Sequence, residues 1–142
     1  MINSSLFRSG SILVCSLALL AAPVASRAAQ PLSADDTKFM TIYEQVLKAL
    51  VQENVNAAKD AAHALPGDAG ADILKSGNDL KAARDAFAAL SQTAEKKVAG
   101  NPDFHVFYCP MVKRDWVQTT TSIANPYMGK EMLTCGVEKK NS

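Results

Sequence analysis

Sulfur is concentrated in one short segment of this sequence. The chain has 142 residues with three cysteines and five methionines. Beyond position 28, every sulfur except that of Met40 lies between positions 109 and 135, and a histidine precedes the first cysteine; the residues are His105, Cys109, Met111, Met128, Met132 and Cys135. Thiolate and thioether sulfur are soft donors that suit monovalent copper or silver, whereas hard cations prefer oxygen. The segment therefore predicts a site for Cu(I) or Ag(I).

The spacing within the segment is consistent with two ligand-bearing faces. Helical geometry over residues 128–135 would place two methionines and Cys135 on one face, because steps of three and four recur on a helix surface. An extended chain over residues 105–111 would align the histidine, the first cysteine and Met111, although Pro110 interrupts such a strand. Two such faces brought together would form a sulfur-rich pocket.

The same residues have a simpler interpretation. Methionine commonly fills hydrophobic cores, so Met111, Met128 and Met132 are also consistent with packing. In an oxidising compartment, Cys109 and Cys135 are an even pair that suits a disulfide, for which the chain-entropy relation gives about 3.5 kcal/mol of stabilisation. A bridged pair is not a thiolate donor, so the disulfide and the full metal site exclude each other. The residues alone leave both states open.

Other side chains of the segment are expected to position it. Trp116 and Tyr127 are predicted to be hydrophobic anchors that pin the segment to the helices. Trp116 would also be able to cap monovalent copper through a cation–π contact. Asn125-Pro126-Tyr127 is a turn signal. A single histidine beside an aromatic strand, such as His105, is more typical of a core or surface residue than of a ligand.

The first residues have the layout of a secretory signal peptide. Arg8 precedes an apolar run over residues 12–22, which is too short for a membrane span, and Ala28 ends a small-residue cleavage site. Cleavage there leaves residues 29–142 as one domain, and loss of two arginines changes the net charge from +1 to about −1. That balance gives no electrostatic argument for a nucleic-acid partner. The mature protein is expected in the periplasm or secreted, with no membrane span.

Apolar periodicity predicts a mainly α fold, a small antiparallel bundle of three to four helices with an irregular C-terminal segment (residues 103–137) that includes a short β-hairpin. No nucleophile elbow, zinc-protease motif, phosphate-binding glycine loop or C-x-x-C pair occurs, so an enzyme is not predicted. The predicted elements are a helix after the Ser33 cap, a second after Asn54, a short helical piece at 71–75, a long helix from Asp79 ending before Gly100, strands at 104–109 and 116–121, a helix within 128–135, and a frayed tail over 138–142.

Two motifs in the sulfur-rich segment resemble a known bacterial family. They run His105-Val-Phe-Tyr-Cys-Pro-Met111 and Asn125-Pro-Tyr-Met-Gly-Lys-Glu-Met-Leu-Thr-Cys-Gly136. The family is a domain of unknown function marked by a Cys-Pro-Met element and a distal Asn-Pro-Tyr-aromatic-Gly-Lys-x-Met-Leu-x-Cys-Gly element. Its members occur as secreted proteins or lipoproteins, and as extensions of CusB-type periplasmic adaptors of heavy-metal efflux pumps. The resemblance covers roughly residues 36–138, and Met128 stands where an aromatic is usual.

The resemblance implies an association with copper or silver handling. Carried over residue by residue, it points to Cys109, Met111, Met132 and Cys135 as ligands, with His105 and Met128 as further candidates. It also implies an efflux adaptor or a periplasmic metal chaperone as the partner. The remaining motif residues are expected to pack: Trp116, Asn125, Pro126, Tyr127 and Gly129. The alternative function, from a different class, is a disulfide-stapled helical interaction domain that binds a protein and no metal.

Overall fold

Residues 31–140 are described by this computed structural model, and they form four helices and a three-stranded antiparallel sheet. The predicted signal peptide, residues 1–28, lies outside the described residues. None of the described helices is both long and apolar enough to cross a membrane. The elements are α1 (Ala34–Val51), α2 (Val55–Ala62), α3 (Ala71–Lys75), α4 (Leu80–Lys97), β1 (His105–Cys109), β2 (Arg114–Gln118) and β3 (Val137–Lys139).

The helices begin where the sequence predicts them. The side chains of Ser33, Asn54 and Asp79 each accept a hydrogen bond from a backbone N–H in the first turn of α1, α2 and α4. These bonds satisfy donors that a helix start otherwise leaves without a partner. The three N-termini are therefore set by local sequence.

The helices enclose one core against the sheet. From α1 the core receives the aromatic rings of Phe39 and Tyr43, and from α4 it receives Phe87, which stacks on Tyr43 with ring centroids 5.1 Å apart. The narrow face of α2 contributes Ala58 and Ala62, which are buried and allow close approach to α1. α4 packs against both α1 and β2, so it connects the helical layer to the sheet.

The sheet has the order β2-β1-β3. The predicted hairpin of β1 and β2 is present, with Phe107 opposite Trp116. The predicted frayed tail is wrong over residues 138 and 139, because β3 pairs with the other edge of β1. Side chains reinforce this pairing: His105 Nδ1 lies 2.7 Å from Glu138 Oε1, and Lys139 Nζ donates to Asp115 Oδ2 at 2.9 Å.

The fold is therefore mixed α and β, with more helix than strand, instead of a purely helical bundle. The helix predicted within residues 128–135 is also wrong, since only a 3-10 turn, Lys130–Met132, forms there. Polar contacts from elsewhere hold this segment out of a regular helix. Arg84 Nη2 donates to the carbonyl of Met128, and the backbone N–H of Asn125 donates to the carbonyl of Leu133.

Two buried tyrosine hydroxyls bind the backbone of β2 at the edge that faces away from β1, and a buried serine supports both of them. The hydroxyl of Tyr43 accepts from the backbone N–H of Val117 at 3.0 Å, and the hydroxyl of Tyr127 donates to the carbonyl of Asp115 at 2.6 Å. Both hydroxyls also lie within hydrogen-bond distance of Ser91 Oγ, at 3.0 and 3.2 Å. The backbone of a strand edge thus finds partners inside the protein, where water does not reach.

Replacing Tyr43 by phenylalanine is expected to lower the free energy of unfolding by about 1 to 3 kcal/mol, because the buried N–H of Val117 loses its acceptor. Urea denaturation would measure the loss. Tyr108→Phe is the matched control, since no hydrogen bond of its half-buried hydroxyl is found within residues 31–140, and it is expected to change stability by less than about 0.5 kcal/mol. Equal losses in the two variants would contradict this role of Tyr43.

Ionisation of Tyr43 provides a pH test of the same contact. Burial is the main cause that raises the pKa of this hydroxyl, so the folded state favours the neutral form. The stabilisation that the neutral Tyr43 hydroxyl adds to the free energy of unfolding is therefore complete below the ordinary tyrosine pKa of about 10. It is lost as the pH rises above that value.

Candidate functional site

The two cysteines of the described chain meet at the end of the sheet. Cys109 is the last residue of β1 and is completely buried, whereas Cys135 lies two residues before β3 and is half-buried. Both are free thiols, and the pairing of Tyr108 with Val137 between β1 and β3 places them close to each other. Partial burial is the main cause that raises the pKa of the Cys135 thiol, and the charge and hydrogen bond of Cys109 raise it further. Pairing of β3 with β1 therefore brings together two sulfurs that are 26 positions apart in the sequence.

Asn125 fixes the backbone that carries Cys135. This amide is completely buried; its Nδ2 donates to the carbonyl of Cys135, and its Oδ1 accepts from the backbone N–H of Tyr127 at 2.8 Å. Its own backbone N–H donates to the carbonyl of Leu133 at 2.7 Å. The side chain of Asn125 thus links the start of the Asn-Pro-Tyr turn both to its end, at Tyr127, and to the backbone of Cys135.

Arg84 holds the same turn from α4. Its Nε donates to the carbonyl of Pro126 at 2.9 Å, and its Nη2 donates to the carbonyl of Met128 at 2.8 Å. The carboxylate of Glu53 lies 3.5 Å from Nη2, and Glu53 adopts a left-handed backbone conformation with φ of 60°. Because that conformation is unfavourable for a residue other than glycine, the contact with Arg84 helps to offset its cost.

Trp116 supports the loop from the sheet side. Its ring is completely buried, stacks on Phe107 with centroids 5.4 Å apart, and meets Tyr127 edge-on at 6.2 Å. Its Nε1 donates to Gln118 Oε1 at 2.8 Å, and Gln118 Nε2 donates to the carbonyl of Ser122 at 2.6 Å. Trp116 and Tyr127 are both buried and in contact with each other, and their anchoring of the segment stays a prediction. A cation–π contact from Trp116 to a metal stays a prediction.

The methionines of the segment occupy three different environments. Met111 lies in the hairpin turn directly after β1 with 63% of its surface exposed, and Met132 lies in the 3-10 turn with 39% exposed. Met128 is half-buried and packs against the core. The shared helical face predicted for Met128, Met132 and Cys135 does not form, because residues 128–135 are not an α-helix.

The structure does not bring His105 to the thiols. It stands at the opposite end of β1 from Cys109, about 13 Å away along an extended chain. One of its ring nitrogens is engaged by Glu138. Within residues 31–140, no cluster of three or more histidine, cysteine, aspartate or glutamate side chains is arranged to hold a metal ion. A soft-metal site in this segment would therefore depend on the two thiols together with thioether sulfur.

Exposed apolar side chains lie near both cysteines in the sequence. Among the described residues, the exposed large hydrophobic side chains are Met111, Met132 and Val137. One follows Cys109 by two positions, and the others lie within three positions of Cys135. The sulfur pair and these side chains together define the candidate site.

Two positioning residues of the site were missed by the sequence analysis. Arg84 lies four residues after Leu80 and three before Phe87, so it stands within the apolar stripe of α4, as does Ser91 four residues after Phe87. Polar residues inside such a stripe signal a buried polar contact. Their position in the apolar stripe of α4 was therefore a sequence signal that both residues make buried polar contacts. The residues that they contact in the loop are distant in the sequence.

Comparison with protein-family models, with curated proteins and with solved structures finds no match for this chain.

Proposed function

We propose that this chain is a periplasmic binding module for monovalent copper or silver, with Cys109 and Cys135 as its principal ligands. The observation that carries the proposal is the proximity of these two thiols, which the β1–β3 pairing brings about, with exposed methionines near each of them in the sequence. Two thiolates and a thioether are soft donors of the kind these ions prefer. Binding would displace the thiol protons, because the thiolate is the ligand form.

The exposure of two methionines supports a role other than core packing for them. Met111 and Met132 have 63% and 39% of their surface exposed, so they contribute little to the buried core. Both lie in turns that adjoin a cysteine, and a flexible thioether side chain in a turn can move towards a metal held by the thiols. Met128 and His105 are weaker candidates, since the first packs on the core and the second is engaged by Glu138.

The partner is proposed from the motifs alone. Their resemblance to efflux-associated proteins supports an efflux adaptor or a periplasmic metal chaperone as the protein that exchanges metal with this module. The exposed apolar side chains around the thiols would then lie at the point of exchange.

The contact between the thiols also favours a second candidate function. Adjacent thiols in an oxidising compartment are able to form a disulfide, and a permanently bridged domain would serve as a stapled protein-interaction module without metal. Intact-mass measurement of protein recovered from the periplasm separates the candidates, since a fully bridged population supports the second and free thiols support the first.

The metal proposal is tested by titrating the purified, reduced protein with Ag(I) in the presence of a competing chelator. One silver ion per chain is expected. Cys109→Ser and Cys135→Ser are each expected to weaken binding more than about 100-fold, because loss of a direct ligand should exceed the loss measured for outer-shell partners. Met111→Leu and Met132→Leu are expected to weaken it about tenfold each, as smaller contributions from thioether sulfur.

The matched control for the methionine variants is Met40→Leu. Met40 is buried in α1, far from the motif in sequence, so its replacement conserves volume and leaves the candidate ligands intact. Circular dichroism of each variant verifies that the fold persists. Silver binding that is absent from the reduced parent protein, or equal in the parent and both serine variants, would refute the proposal.

A further inference from the structure

The two thiols differ in their access to solvent. Cys109 closes β1 and has no exposed surface, whereas Cys135 lies in the loop before β3 and is only half-buried. Thiol–disulfide exchange requires direct approach of one sulfur to another, so it depends on access as well as on the thiolate. A reagent arriving from solvent therefore reaches Cys135 and not Cys109.

The buried thiol is placed to complete a reaction that begins at the exposed one. Tyr108 of β1 pairs with Val137 of β3, so Cys109 lies beside the loop that carries Cys135 and needs no rearrangement of the helices to approach that sulfur. The backbone of Cys135 is held by Asn125, and the backbone carbonyl of Cys109 accepts from Lys113 N at 2.8 Å. Both sulfurs are thus carried on backbone whose position is fixed by hydrogen bonds.

We propose that Cys135 and Cys109 form an ordered dithiol that reduces low-molecular-weight disulfides, with Cys135 as the attacking thiol and Cys109 as the resolving thiol. The Cys135 thiolate attacks one sulfur of the substrate, which breaks the substrate S–S bond, forms a mixed disulfide and releases one thiolate. The Cys109 thiolate then attacks the Cys135 sulfur and releases the second thiolate. Two electrons pass from the protein to the substrate, and the two thiol protons pass through solvent to the released thiolates.

The rim of the site favours small apolar disulfides as substrates. Met111 and Met132 are exposed within three positions of a cysteine in the sequence and offer flexible apolar surface to a ligand of this kind. This activity does not depend on metal binding. If the proposed metal site is correct, formation of the disulfide between Cys109 and Cys135 would also release the metal, because the oxidised pair contains no thiolate ligand.

The test uses a dithiobis-nitrobenzoate, an aromatic disulfide whose released thiolate is followed by its visible absorbance. All proteins in this test carry Cys15→Ser, which removes the third cysteine of the chain. With that change, the reduced full-length protein is expected to release two equivalents, retain no reagent and finish with an internal disulfide, shown by a mass lower by two hydrogens. Cys109→Ala is expected to release one equivalent and retain the reagent on Cys135. Cys135→Ala is expected to remain unreactive until denaturant is added.

The order in which the two thiols are alkylated gives an independent readout, because Cys135 has exposed surface and Cys109 has none. Limited alkylation of the unmodified protein, followed by peptide mapping, keeps the test independent of the folding of any variant. Cys135 is expected to be labelled first.

Three outcomes would overturn this order: labelling of Cys109 before Cys135, a Cys135→Ala variant that reacts as fast as the parent, or a parent protein that retains two molecules of reagent. The silver titration is unaffected by any of them. Failure of the exchange and failure of metal binding are therefore separately visible.

Discussion

Replacing Gly136 by alanine is expected to lower the free energy of unfolding by about 1 to 3 kcal/mol, the range for overpacking a close-packed interior. A Cβ atom at this position would lie 2.5 Å from Cη2 of Trp116 and 3.4 Å from Cγ2 of Ile123. The indole has no room to move, because it stacks on Phe107 and meets Tyr127 edge-on. Urea denaturation of parent and variant would measure the loss.

Two comparisons identify the indole as the cause. In Gly129→Ala, from the same loop, the new Cβ would meet only the flexible end of Glu53 at 3.3 Å, so a change of less than about 0.5 kcal/mol is expected. In a Trp116→Phe background the smaller ring leaves space, so Gly136→Ala should cost less than it does in the parent. An equal cost in the two backgrounds would show that the indole is not responsible.

Replacing Asn125 by alanine is expected to lower the free energy of unfolding by about 2 to 4 kcal/mol. The substitution leaves two backbone groups without partners in a buried place, namely the carbonyl of Cys135 and the N–H of Tyr127. Each buried polar group left without a partner costs about 1 to 3 kcal/mol. Thermal or urea unfolding would measure the effect.

The same variant is expected to disturb the thiol pair, because the backbone of Cys135 loses its attachment to the turn. Faster alkylation of Cys109 under native conditions would report this opening. Asn56→Ala is the control: it is exposed on α2, where alanine favours the helix, so no loss of stability is expected. A change below about 0.5 kcal/mol in Asn125→Ala would contradict the linking role of this amide.

The helices were predictable because their determinants are local. Caps at Ser33 and Asn54 and an apolar repeat along α1 act within a few residues, and the structure places those helices accordingly. The hairpin was predictable for the same reason, since alternating residues on both sides of a short link pair with each other.

The segment after residue 127 was not predictable from local pattern. The spacing of Met128, Met132 and Cys135 agrees with a helix, but the backbone there is bound by Arg84 and Asn125. Such contacts from other elements override a weak helical preference. β3 is likewise stabilised by β1, and nothing in its three residues distinguishes it from an ordinary charged tail.

The candidate site was predictable in composition but not in geometry. The cysteines stood out in the sequence, whereas their contact depends on the β1–β3 pairing, which was not expected. The aromatic and asparagine residues of the motif stood out as well. Their partners on α4, Arg84 and Ser91, became apparent only from the packing of that helix against the loop.

The hydroxyl groups along β2 also bear on how this protein avoids aggregation. An open strand edge is a template on which another chain can add a strand. At β2 the N–H of Val117 and the carbonyl of Asp115 are already taken by tyrosines, so polymerisation cannot begin there without first disrupting the core. Within residues 31–140 the remaining edge is β3, which is three residues long and carries Glu138 and Lys139. Short length and charge both oppose the addition of further strands at β3. Addition of a strand to this sheet is therefore hindered by buried hydroxyls at the β2 edge and by surface charge at the β3 edge.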